Sequence, residues 1–274
     1  MRNITHLADR GVVELTGADR VSFLQGLVSN DVEKAVPGHA MWAALLTPQG
    51  KWLADFFVFA ESERLLLDCE RAQAAMLVKV LGRYRLRAKA MLRDVSDELF
   101  VHVAWGDAGD VPGAIVAPDP RLAAAGWRIL SNDILPDTAT AADWQAHRIG
   151  LGLPDGSRDM EADKTVLLEA GFDELHGVSW TKGCYMGQEL TARTKYRGLL
   201  KRRLVPVQVV GAMPAPGEAV MRDGREVGTL RFGVGASAMA LLRLEALSGA
   251  VDLVCGGATL RPMLPEWMLA SAAE

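Results

Sequence analysis

Residues 182–190, KGCYMGQEL, set a cysteine between two glycines, close to a lysine and just ahead of a helix-compatible segment. The thiolate is the reactive and metal-binding form of cysteine, and a neighbouring cation or the positive end of a helix favours it. Lys182 supplies the cation, and a helix expected from about Gln188 supplies the positive end. Gly183 and Gly187 allow left-handed backbone and close approach to a ligand. The pattern fits a reactive Cys184, and it fits equally a buried structural cysteine in a turn that leads into a helix. Glu189 stands in the expected first turn, where a carboxylate is favoured, and one turn before Arg193, so the two form an i,i+4 pair or face a ligand.

Charge around this stretch points the same way. Seven basic residues and one acidic residue fall between Lys182 and Arg203, in a chain whose net charge is -4. Such a local field suits a ligand bearing carboxylates or phosphate, or else a solvated basic face. Asp55 is the one carboxylate in the otherwise apolar run WLADFF, where it must be hydrogen-bonded or face a pocket, since an unpaired buried acid costs several kcal/mol. Glu169, in a segment rich in acids, is a second candidate for accepting N–H donors of a heterocycle, or a plain loop charge. The five histidines form no HxH or HxxxH pair, and no phosphate-binding or nucleophile-elbow motif occurs, so no metal site and no common nucleotide or hydrolase chemistry is indicated.

The elements that must carry these residues are legible in outline. GVVELTG reads as a strand and VSFLQGLV as a short amphipathic helix. The runs WLADFFVFA and RLLLDCE read as a hairpin, RAQAAMLVKVLGRYRLRAKAML as a helix, and ELFVHVAW as a strand, together half of a ferredoxin-like module. Residues 106–130 read mainly as loop before a further strand, ATAADWQAHRIG as a helix, and 151–181 as a long acidic loop. After residue 203, short alternating runs around the Asp223-Gly224 turn indicate a small barrel or sandwich. The expected division is 1–50 with 135–203 as one discontinuous domain, 51–134 as the ferredoxin-like module, and 204–274 as the barrel.

Half of the residues are hydrophobic, an ordinary globular composition, and the net charge argues against a general nucleic-acid binder. Direct RNA contact through KYRGLLKRR is the weakest functional class considered. No apolar signal region, no run long enough to span a bilayer and no disulfide-like spacing of the three cysteines is visible. A cytoplasmic protein, monomeric and without a membrane partner, is therefore expected.

KGCYMGQELTARTKYRG resembles the signature of the YgfZ family of folate-binding proteins, relatives of the glycine-cleavage T protein. GADRVSFLQGLVSNDV, LLTPQGKWLADFFVF, HRIGLGLP and LLEAGFDELHGVSW resemble other segments of that family, so the likeness extends over most of the chain. It implies an α+β fold of three lobes around a central opening, tetrahydrofolate as ligand, and a role in assembly or repair of iron-sulfur proteins, tRNA-modifying enzymes among them. It implies functional roles for Cys184 and Lys182, and folate contacts from Asp55, Glu169, Gln188, Glu189, Arg193 and Arg197. The T protein's aminomethyl-transfer segment has adjacent aspartates where this chain has Ala54-Asp55, and it lacks the cysteine signature. A folate-dependent one-carbon transferase is thus the alternative reading, behind an assembly factor that acts on iron-sulfur clients or shares a transient cluster through Cys184.

Overall fold

The alternation in WLADFFVFA serves a sheet covered on both faces, where neither set of side chains meets water. The computed structural model describes residues 3–106, 111–248 and 252–270. Following β1 (Asn3–His6), the chain forms β2 (Arg10–Thr16), α1 (Arg20–Gln25), β3 (Ala40–Leu46), β4 (Trp52–Ala60), β5 (Arg64–Glu70), α2 (Arg71–Tyr84) and β6 (Met91–Asp94). Strands β2 to β6 make an antiparallel sheet in the order β3-β4-β5-β2-β6. Ala54, Phe56 and Val58 pack with Leu24 of α1 and Leu77 and Leu81 of α2. Trp52, Phe57 and Phe59 point the other way, into a core shared with the remaining lobes.

The second sheet pairs β1 with β7 (Phe100–Trp105), β9 (Trp127–Ser131) and β8 (Ile115–Pro118), in the order β1-β7-β9-β8. Helix α3 (Ala141–Gly150) follows, started by a capping box in which Thr140 and Asp143 satisfy each other's backbone N–H groups. A long connection holding α4 (Gly156–Asp159) and a 3-10 turn at Leu167–Ala170 leads to α5 (Gln188–Tyr196). The third lobe is a closed barrel, β10-β13-β12-β11-β14-β15, built from β10 (Arg202–Val210), β11 (Ala219–Arg222), β12 (Arg225–Val234), β13 (Ser237–Arg243), β14 (Leu253–Cys255) and β15 (Ala258–Pro262). Asp223 and Gly224 both hold positive φ, 51° and 74°, as a tight primed hairpin turn requires. α6 (Glu266–Ala270) packs Trp267 and Met268 toward the barrel core.

The α+β arrangement with a C-terminal barrel is as expected, but the strands are shared out differently. β6-β2-β5-β4 with α1 and α2 has the ferredoxin-like order, extended by β3, so that module runs from Arg10 to Asp94. Phe100–Trp105 belongs to the other sheet. β2 slots between β5 and β6 from far upstream, a pairing that no local pattern announces. α2 stops at Tyr84 because the chain must reverse to lay β6 beside β2; Asp19 holds the return, accepting from Lys89 N at 2.7 Å. The expected loop at 106–130 contains β8, and residues 107–110 of it lie outside the described residues.

Where the lobes meet, the core is ionic. Asp68 of β5 accepts from Arg10 of β2 at 2.7 Å and pairs with Arg128 of β9 at 2.6 Å, all three side chains nearly inaccessible. Arg128 lies 3.7 Å above the Phe57 ring and Arg121 4.8 Å from it. Asp119 binds Arg121 through both oxygens; burial alone would raise its carboxyl, but Arg121 and Arg128 hold it below the usual range. The chain of pairs continues through Asp155 to Arg148 of α3, and from Arg148 to Asp159 of α4 at 2.5 Å. Burial pushes the Asp159 carboxyl up to about 6. Arg148 and Arg158 in turn lie 5.6 and 5.3 Å from Phe232 of the barrel.

Removing the shared acid strands two buried cations. Asp68→Ala is expected to lower unfolding free energy by about 3–5 kcal/mol, and Asp68→Asn by less. Urea denaturation of the two variants beside the parent checks this, and equal small losses would mean that the pairs contribute little.

Candidate functional site

The segment 26–31, GLVSND, leaves α1 and runs between the end of β3 and the loop that precedes α5. Its polar groups are spent on that loop. Ser29 Oγ donates to Gly177 O at 2.6 Å and accepts from Ala44 N at 2.9 Å, and Ser179 N donates to Ser29 O at 3.0 Å. Asn30 Nδ2 donates to Trp42 O and His176 O at 2.8 and 2.7 Å. Lys182 Nζ donates to Val28 O at 2.7 Å and Asn30 O at 2.5 Å. Burial brings the Lys182 ammonium down to about 8, with Asp31 and Glu33 opposing the shift. Met186 N donates to Gly26 O at 3.1 Å, and Tyr185 is buried, so the loop is held on both sides of Cys184.

The turn of the β3–β4 hairpin completes the mount. Gly50 and Gly187 touch: a Cβ on Gly187, at φ 79°, would lie 2.4 Å from Thr47 O, and one on Gly50, at φ 82°, would lie 2.6 Å from Gly187 O. Both positions need glycine for backbone and for space. Gly187 caps α5, and Gln188 Oε1 accepts from Tyr185 N at 3.1 Å. The outcome is an exposed Cys184 on a backbone fixed from three directions. Cys69 and Cys255 are buried, and burial pushes the Cys69 thiol up to about 12, so neither is poised for exchange.

The other candidate residues separate into different places. Lys182 is directed at backbone carbonyls, which makes it a fastener of the loop. Glu189 and Arg193 are exposed and pair with each other, and Arg197 is exposed at the end of α5. Glu169 is buried beside a cleft of about 510 Å3 lined by Val166, Leu190, Thr194, Leu199, Lys201 and Arg202. Its carboxylate accepts from Arg202 at 2.9 Å and from Val166 N at 3.2 Å. Asp55 does not line that cleft. It is buried with both oxygens engaged, by Trp42 Nε1 at 2.9 Å and Trp52 Nε1 at 3.2 Å. Burial raises the Asp55 carboxyl, against the pull of Arg10 and the Trp42 bond. Trp42 itself stacks on Phe172 at 3.8 Å.

The acidic loop and the basic run answer each other. Glu169 pairs with Arg202, Asp173 with Lys195, Glu174 with Arg203, and Glu161 with Arg231. The positive field read from the sequence is thus largely cancelled, and with it the support for an RNA-binding face. Ser29, Asn30 and Gly50 were not among the candidates. SND after a helix and TPQG between two strands are turn signals, and nothing in them says which distant segment they hold.

The architecture is a glycine-cleavage T-protein-like fold with an exposed cysteine before α5. The glycine cleavage system aminomethyltransferase T of Bartonella henselae superposes with a TM-score of 0.76 at 12% identity, over 97% of this chain and 86% of that one. The CAF17 C-terminal beta-barrel domain family matches residues 201–270, the third lobe. The human mitochondrial iron-sulfur cluster assembly factor IBA57 is 32% identical over 299 aligned positions, covering 95% of this chain and 84% of the human protein. The Mycosarcoma maydis homologue is 38% identical across 72% of this chain, which spans about half of that protein, 55% of its length. The chain belongs to the IBA57 family. The likeness read from KGCYMGQE holds at the level of iron-sulfur assembly factors built on a T-protein-like fold. The cytoplasmic expectation does not hold, because these relatives are mitochondrial by name.

Gly187→Ala tests the mount. The left-handed backbone and the contact with Thr47 O together are expected to cost about 3 kcal/mol of stability. Gly183, also at positive φ but with open space around its Cβ position, is the control, and Gly183→Ala is expected to cost less by thermal or urea unfolding.

Proposed function

We propose that the chain assembles or repairs iron-sulfur proteins through the Cys184 thiol, with tRNA-modifying iron-sulfur enzymes among its clients. The observation that carries this reading is the contrast among the three cysteines: two buried and one exposed on a fixed loop. The relatives' names support its iron-sulfur cluster assembly part. A cluster needs four ligands, mostly cysteine, and among the described residues no group of three or more potential ligands converges. The cluster is therefore cargo: the Cys184 thiol gives its proton to water, its thiolate displaces one donor ligand from a cluster iron, the released ligand takes up a proton, and the client or donor protein supplies the remaining ligands. Lys182, Gln188 and Gly187 position the loop.

The reading includes tetrahydrofolate as a ligand, and the cleft beside Glu169 is the place that suits it. Val166, Leu190, Leu199 and Leu200 offer apolar walls for a flat ring, and Lys201 and Arg243 offer cations for its carboxylates. Bound tetrahydrofolate supplies a reduced pterin able to carry one-carbon units. Asp55 is left out of this cleft, since it does not line it and lies buried beneath Trp42 and Trp52.

Two measurements bear on the two parts separately. In cells lacking the native protein, Cys184→Ala is expected to leave iron-sulfur enzyme activities at the level of the empty strain; full restoration would sink the thiol's role. In a tetrahydrofolate titration, Cys184→Ala and Asp55→Asn are expected to match the parent, while Glu169→Gln weakens binding roughly tenfold, as loss of a charged hydrogen bond does. An unchanged Glu169→Gln would remove the ligand from this cleft.

A further inference from the structure

The corner where α2 turns into β6 takes no part in the thiol site. Residues 83–91 read RYRLRAKAM. Arg83, Arg85, Arg87 and Lys89 are all exposed, and their side chains make no ion pair or hydrogen bond among the described residues. Several surface cations elsewhere are matched: Arg93 pairs with Glu14 and Glu98, and Lys195 with Asp173. The acids beside the corner are committed as well, Asp19 to Lys89 N and Asp94 to Ser96.

Among these cations the apolar residues point outward. Leu86 is 89% exposed, Met91 65% and Tyr84 41%. Leu86 also holds φ 44°, a left-handed conformation that disfavours a leucine. The backbone is thus held in a costly form at the position where an apolar side chain stands in water. Both features invite an explanation outside the isolated chain.

We infer that this corner is a peripheral docking site for an anionic lipid bilayer. Leu86 and Met91 enter the boundary between headgroups and acyl chains, and Tyr84 sits at headgroup level. The four long cations lay their stems along the apolar surface and reach lipid phosphates with their ends. A protein partner would need a broad surface with a pocket around its anchors, and this corner projects as a short turn. A nucleic acid would use the cations and be indifferent to Leu86. None of the helices in the described residues is long and apolar enough to cross a membrane, so the contact is at the surface. The expectation of no membrane partner concerned a signal region and spanning segments, and a surface contact is a separate matter.

Flotation of the full chain with phosphatidylcholine vesicles, with and without phosphatidylglycerol, tests the assignment. Binding is expected only with the anionic lipid and is expected to fall as salt rises. Arg85→Gln and Arg87→Gln should each weaken it about fivefold. Leu86→Gly removes the inserting side chain while easing the left-handed backbone, so it folds at least as well as the parent, and it should reduce binding about tenfold or more. Equal binding to neutral vesicles, or anionic binding unchanged by Leu86→Gly, would overturn the proposal. So would binding of polyglutamate or an oligonucleotide as tight as that of the vesicles and insensitive to Leu86→Gly.

Discussion

Asp68 has no exposed surface, and two arginines from different sheets end on it. A buried carboxylate in that position is tolerable only while both guanidiniums stay in place, and the guanidiniums are tolerable only while the acid does. Arg128 adds the face of Phe57 as a third contact. The five-stranded sheet and the four-stranded sheet are thereby set at one mutual position, since sliding either would leave a charge unpaired in an apolar surround. Through Asp155, Arg148 and Asp159 the same requirement passes along the long connection, and Phe232 brings the barrel to it. Apolar packing brings these layers together, and the ions decide the alignment.

The segment 151–181 looks, as a string of acids, like the lining of a binding site. In three dimensions most of those acids have arginine or lysine partners supplied by the other lobes. The local field at the basic run and the local field of the loop exist only separately, because each neutralises the other once folded. That leaves fewer unpaired cations near α5 than the sequence alone suggests.

Much of this was legible beforehand. The hairpin of β4 and β5, the helix Ala141–Gly150 and the Asp223-Gly224 turn all follow from local rules of period and turn chemistry. What was not legible depends on partners distant in sequence. WLADFF cannot tell that Asp55 serves Trp42 and Trp52, and KGC cannot tell that the lysine reaches back to Val28 and Asn30. The end of α2 was missed for a related reason: RYRLRAKAM keeps a helical rhythm, and the reversal at Leu86 is imposed by the strand that must pair with β2.

The touching glycines have a consequence for how the protein matures. Gly50 arrives early in the chain and Gly187 late, and neither the hairpin turn nor the thiol loop has its final shape without the other. A nascent or partly unfolded chain therefore carries Cys184 as an ordinary flexible thiol, and the presented thiol appears only after the first and second halves have docked. The contact ties the fixed presentation of Cys184 to the completed fold, which a fragment of the chain does not possess.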